Sequence, residues 1–199
     1  MSTSLTTPAF LLHETPLSND SSLLHFLTPE HGQLLCHARG FQRSKQRRAE
    51  IDTLRLLSLT CTEKPSGDYT LQEGTAVQLY PGVMSSYQTL QYALQWLQTL
   101  HRVIPAGVST RIFGLTQHLF THAEAATLPA LRLYARVHLL SLTGHLDPSL
   151  PLSPAAEQTL QRILSSSFPR FLSSSPPPLE ALPDLLTELA QLERHAHIA

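Results

Sequence analysis

The chain has 199 residues, 42% of them apolar and only 15% charged, with a formal net charge of −1. That length holds one large domain or two small ones, and near-neutrality excludes a protein that binds polyanions through bulk charge. No run approaches the roughly 18 apolar residues of a membrane span, and no basic-then-apolar signal pattern opens the chain, so a soluble cytoplasmic protein is expected.

Residues 1 to about 78 read as strands. Pro8-Ala-Phe-Leu-Leu-His-Glu14 is the first, ended by Thr15-Pro16 and the polar Ser18-Asn-Asp-Ser-Ser22 turn. Ser22-Leu-Leu-His-Phe-Leu-Thr28 follows, closed by Pro29-Glu-His-Gly32, and Gln33 to Phe41 is the third. Asp52 to Cys61 and Tyr69 to Val77 are the fourth and fifth, joined by a Lys64-Pro-Ser-Gly-Asp68 turn. Five short strands with a long connection after the third fit a small Greek-key barrel such as the OB-fold, although other small barrels share that pattern.

That long connection holds Arg39, Arg43, Lys45, Arg47 and Arg48, five of the chain's 14 basic residues. No acidic residue lies between His31 and Ala49, so the window carries +5 and the remainder −6. Such a concentration predicts a local anion-binding surface at a strand end or in the loop after it. Arginine's planar fork suits phosphate oxygens, and here arginine outnumbers lysine four to one. Of the nearby aromatics, Phe10 and Phe26 fall in apolar strands and belong to a core, which leaves Phe41 as the candidate to stack on a base.

From about residue 82 the period becomes helical. Tyr87, Leu90, Leu94, Leu97 and His101, with Met84 and Leu100 alongside, predict one apolar face, ended by Pro105-Ala-Gly107. Ser109 caps the next helix, with Ile112, Phe113, Leu119 and Phe120 inward. Leu128 to Leu142 is mostly apolar and predicts a central helix stopped by Gly144. Ser153-Pro154 starts a helix from Ala155 to Leu164. After the Ser173-Ser-Ser-Pro-Pro-Pro178 loop, Leu179, Leu182, Leu186 and Leu189 line a last helix. The fold class is α+β: a five-stranded OB-type barrel over residues 1–80, then an all-helical bundle over 81–199.

Catalytic and metal chemistry find little support. Cys36 and Cys61 lie inside strands without metal-pair spacing and read as small buried apolar residues. His118 and His122 are one helical turn apart but lack the glutamate of zinc hydrolases, and His195 and His197 sit in a polar terminus. There is no phosphate-cradling glycine loop, no nucleophile elbow and no close carboxylate pair, with Glu14 and Glu30 merely flanking turns. No catalytic residue, metal or cofactor is predicted.

Two segments carry a family resemblance. Phe10-Leu-Leu-His13 followed by Leu23-Leu-His-Phe-Leu-Thr-Pro-Glu-His-Gly-Gln-Leu-Leu-Cys-His-Ala-Arg-Gly40 resembles the opening of RecO, the bacterial recombination mediator family, in which a basic loop comes next. Leu131-Arg-Leu-Tyr-Ala-Arg-Val-His-Leu-Leu-Ser-Leu-Thr-Gly-His-Leu-Asp-Pro148 is similar to the family's central helix and its end. Many members carry zinc-binding cysteines just after that end; Asp147-Pro-Ser-Leu-Pro151 has none, so no zinc is expected.

The resemblance implies a DNA-repair accessory protein without a reaction of its own. It would bind single-stranded and double-stranded DNA, anneal complementary strands, and load a recombinase together with RecR and single-stranded DNA-binding protein. The expected DNA contacts are Arg39, Phe41, Arg43, Lys45, Arg47 and Arg48. Arg132 and Arg136, an i,i+4 pair on an otherwise apolar helix, are the expected site for the acidic C-terminal tail of single-stranded DNA-binding protein. The alternative is a non-enzymatic adaptor whose basic loop binds an acidic protein partner or RNA.

Overall fold

The computed structural model describes residues 4–104, 110–147, 150–173 and 182–195. Five strands, β1 (Ser4–Pro16), β2 (Ser22–Thr28), β3 (Gly32–Ala38), β4 (Arg55–Glu63) and β5 (Tyr69–Leu79), close into a barrel in the order β1-β2-β3-β5-β4. All pairings are antiparallel except β3 with β5, where Cys36 faces Tyr69 and His37 faces Thr70. This is the OB-type barrel, and the chain is α+β.

Alternation along the strands builds the interior. Ala9, Leu11, Leu24, Phe26, Leu34, Cys36, Ala38, Leu57, Leu59, Cys61 and Leu71 point inward and form one buried cluster. Cys36 and Cys61 meet there with Sγ atoms 3.3 Å apart, and hydrogen bonding to Cys61 together with burial pushes the Cys36 thiol up. β1 departs from alternation because it is buried on both faces over Ala9-Phe-Leu-Leu12. Phe10 and Leu12 point out of the barrel, and Phe10 meets Phe113 at 5.3 Å and Phe120 at 5.5 Å between ring centroids. A strand covered on its second face reads as a continuous apolar run.

The cover is α2 (Tyr87–Val103) and α3 (Thr110–Thr121). α2 starts at a capping box in which Ser86 and Thr89 satisfy each other's backbone N–H groups. Its buried residues are Thr89, Ala93, Trp96, Leu97 and Leu100. The face expected inward therefore turns partly outward: Tyr87 is 76% exposed, Met84 65% and Leu94 38%. Apolar residues occupy both sides of this helix, and the wide Trp96 ring, whose Nε1 donates to Thr116 Oγ1 at 3.1 Å, decides which side docks. On α3, Ile112, Phe113, Leu119 and Phe120 are buried, as their spacing predicts. Ser109 and Pro105–Gly107 lie outside the described residues.

The chain divides into two compact units, Met1–Thr121 and His122–Ala199. The division lies well beyond residue 80, because α2 and α3 bury the outer side of β1 and β2 and so belong with the barrel. The second unit holds α4 (Leu128–Leu142), α5 (Pro154–Ser165), α6 (Phe168–Ser173) and α7 (Pro183–His195). α4 is central, with Leu131, Leu133, Ala135, Val137, Leu139 and Leu140 buried, and Gly144 stops it at φ +75°. Ser153 caps α5 by accepting from the Ala156 N–H. Leu185 and Leu189 are buried along α7 and Leu182 just before it; Pro148, Leu179, His197 and the loop over 174–178 lie outside the described residues. No helix among the described residues is long and apolar enough to cross a membrane.

Candidate nucleic-acid interface

The basic segment is pinned at both ends by apolar anchors. β3 ends at Ala38, Gly40 turns the chain at φ +70°, and Phe41 drops into the barrel core, 1% exposed. At the other end Ile51 is buried against Gly74 of β5. Between the anchors the chain is not the loop expected from sequence but a helix, α1 (Lys45–Glu50). Ser44 caps it, its Oγ accepting from the Arg47 N–H at 3.2 Å. Good helix formers behind a capping serine were a legible signal, masked by the strength of the charge cluster.

Side-chain bonds hold the entry to α1 against the barrel mouth. Gln42 Nε2 donates to Glu14 Oε1 at 2.6 Å and to Ser22 Oγ at 2.7 Å, and Ser22 also donates to Glu14 at 2.8 Å. Arg43 Nε lies 3.3 Å from Asp20 Oδ1 on the β1–β2 turn. Arg47 Nη1 donates to the Arg39 carbonyl at 2.7 Å, while its Nη2 is buried without a hydrogen-bond partner among the described residues.

The expected site residues thus fall into three groups. Arg39, Lys45 and Arg48 are exposed and make no ion pair among the described residues. Arg43 and Arg47 hold the segment in place with part of their hydrogen-bonding capacity. Phe41 is a correction: its ring fills the barrel core and offers no face to a base, because an aromatic beside a strand end gains more from burial than from solvent.

A cluster not foreseen in the sequence lies on the outer face of β1 and β2. His101 of α2 stacks on His13, with ring centroids 4.8 Å apart and planes at 18°, and meets His25 at 4.6 Å. Gln33 Nε2 donates to the His101 carbonyl at 2.7 Å. Burial, then the His101 and His13 imidazoles, hold His25 below the ordinary histidine range; burial and then His13 do the same to His101. His25 Nδ1 is buried with no hydrogen-bond partner among the described residues, which suits a neutral ring. No group of three or more His, Cys, Asp and Glu among the described residues is arranged to hold a metal ion.

In the helical unit, Arg136 makes a two-bond fork with Glu193, Nε to Oε1 at 2.6 Å and Nη2 to Oε2 at 2.8 Å. Arg136, one of the pair expected to receive an acidic tail, is thus already engaged within the fold. The Arg136 charge is already answered within the fold, because a planar guanidinium matches a nearby carboxylate bidentately. Arg132 is exposed one turn earlier on α4.

A closed five-stranded barrel with a basic helix between its third and fourth strands defines an OB-type module with a basic end. Residues 1–80 match the family described as Recombination protein O N terminal. The barrel is thus similar to the N-terminal domain of that recombination family. The match stops at residue 80, so the likeness read in Leu131–Pro148 lies outside it. A comparison with curated proteins returned no match.

Proposed function

We propose that this protein binds single-stranded DNA by its phosphates at the open end of β3 and along α1, and that it anneals complementary strands without catalysing a reaction of its own. The observation that carries this reading is the placement of Arg39, Lys45 and Arg48: exposed, unpaired by carboxylates among the described residues, with Arg39 just past the end of β3 and Lys45 and Arg48 on the short helix between the Phe41 and Ile51 anchors. Three cations so placed screen two strands brought together and release condensed counterions. The likeness of residues 1–80 to that family extends the proposal to cooperation with RecR and single-stranded DNA-binding protein in recombinase loading, and to double-stranded DNA as a second ligand.

The test is fluorescence anisotropy of a labelled single strand across a salt series, with an annealing assay on the same sample. About three phosphate contacts give a log–log salt slope of roughly −2 for a single strand. Charge reversal of Arg39, Lys45 and Arg48 together abolishes both binding and annealing. A slope near zero, or annealing at the normal rate in that variant, overturns the reading. Binding confined to RNA or to an acidic protein would favour the adaptor role instead.

A further inference from the structure

We propose that Cys36 and Cys61 form an oxidation site inside the barrel, where a hydroperoxide converts the two thiols into a disulfide that ties β3 to β4 across β5. The site stands apart from the DNA-binding reading and does not depend on it.

Strand geometry brings the two sulfurs together. Cys36 on β3 and Cys61 on β4 both point into the barrel and are fully buried. Their Sγ atoms lie 3.3 Å apart although 25 positions separate them in the chain. The two strands are not neighbours: β5 runs between them, with Tyr69 opposite Cys36 and Leu71 opposite Cys61. A small barrel curves enough for inward side chains of alternate strands to converge. The register also shifts at Cys61, where Thr60 faces Glu73 and Cys61 faces Leu71, leaving Gln72 over. Such a bulge re-aims the side chains beside it. A disulfide then needs the sulfurs to approach by about 1.3 Å.

The barrel yields most readily beside this pair. Among the described residues β3 and β5 are joined only at Cys36–Tyr69 and His37–Thr70, whereas β4 and β5 pair from Arg55 to Glu63. Tyr69, half-buried, packs against the core at that seam. A seam with few backbone pairings opens at low cost in local unfolding. Parting there, with the Tyr69 ring swung aside, uncovers the sulfurs to a molecule as small as hydrogen peroxide and lets β3 close toward β4.

The pair also has the chemistry. With the Cys36 S–H donating to the Cys61 sulfur, Cys61 is held below the ordinary thiol range in spite of its burial, while Cys36 is raised. Cys61 is therefore the sulfur that ionises, and the thiolate is the nucleophile. It attacks a peroxide oxygen: an S–O bond forms, the O–O bond breaks, and the departing hydroxide takes up a proton to become water. Cys36 then attacks the sulfenic sulfur of Cys61. The S–S bond forms, the S–O bond breaks, and hydroxide leaves with the Cys36 proton as a second water. Two electrons pass from the thiols to the peroxide. The loop closed in this way contains Arg39 and the whole of α1.

The experiment treats the folded full chain with hydrogen peroxide, then counts thiols after denaturation and maps peptides without reductant. Both thiols disappear, the intact mass falls by two hydrogens, and one cross-linked peptide joins Cys36 to Cys61; dithiothreitol reverses all three. The oxidised chain melts several degrees above the reduced one, because the bridge restricts the unfolded chain. Cys36→Ala forms no bridge and instead gains oxygen at Cys61, and Tyr69→Ala oxidises severalfold faster than the parent. The parent's peptide map decides the matter even where a substitution in the core prevents folding. Two free thiols after treatment, added oxygen without a cross-link, or a bridge between two chains overturns the proposal. A Tyr69→Ala rate equal to the parent's overturns the seam as the way in.

Discussion

Arg47 reaches back eight residues and donates from Nη1 to the carbonyl of Arg39, closing the basic segment into a loop across its own chain. One arginine of the cluster thereby sets the position of another. The bond also removes Arg39's carbonyl, a negative dipole end, from the surface where phosphates would lie.

Neighbouring arginines of α1 should therefore behave differently. Arg47→Ala loses a charged hydrogen bond and costs about 1 kcal/mol of stability, read as a lower urea midpoint. Arg48→Ala leaves the midpoint within about 0.5 kcal/mol and makes the single-strand salt slope shallower by about 0.7. Equal effects of the two substitutions on stability would remove the distinction.

Gly74 lets α1 sit down. A Cβ there would lie 2.7 Å from Ile51 Cδ1, 2.8 Å from Ile51 Cγ1 and 3.1 Å from Leu59 Cδ2. Gly74→Ala should cost about 1–3 kcal/mol through overpacking, and trimming Ile51 to Val in the same chain should recover part of it. Thermal denaturation of the two variants checks this, and a single variant as stable as the parent would show that the contact yields freely.

The histidine cluster makes the N-terminal unit acid-sensitive. His25 and His101 are held below the usual histidine range in the fold. As pH falls through about 6.5 the unfolded chain takes up protons that the folded chain resists, so the unfolded state binds more protons and stability drops. Above that pH the stability is fully present. In the helical unit His138, lowered chiefly by burial, acts in the same direction. Melting temperature should fall from pH 7 to pH 5, and His25→Gln should flatten the profile. An unchanged slope in that variant would take His25 out of the account.

The Arg136–Glu193 fork is partly buried, with side-chain exposures of 31% and 15%. Breaking it by Arg136→Ala strands a half-desolvated carboxylate and should cost about 1–2 kcal/mol, more than an exposed pair and less than a deeply buried one. A double-mutant cycle with Glu193→Gln isolates the coupling, and a coupling indistinguishable from zero would mean the pair holds nothing together.

The barrel was legible in the sequence because alternation is a local signal. β2 lies where its Ser22–Thr28 pattern puts it, Leu128–Leu142 forms the central helix, and Gly144 stops that helix for a backbone reason any sequence displays. The cluster from Arg39 to Arg48 was legible as charge, since charge density needs no fold to be counted. What Arg43, Arg47 and Arg136 do with their charges was not, because their partners Asp20, the Arg39 carbonyl and Glu193 are brought near only by folding.

By itself the sequence determined the strands, the helices other than α1 and α6, and the concentration of basic residues, since these follow from periodicity and composition within a few residues. The tertiary structure alone decided that Phe41 is core, that α2 docks by Trp96 with Tyr87 left outside, and that His101 meets His13 and His25. Each of those outcomes depends on competition among apolar or aromatic residues for one buried surface. That competition is settled by shape and by which hydrogen bonds can be satisfied, and no local pattern encodes either.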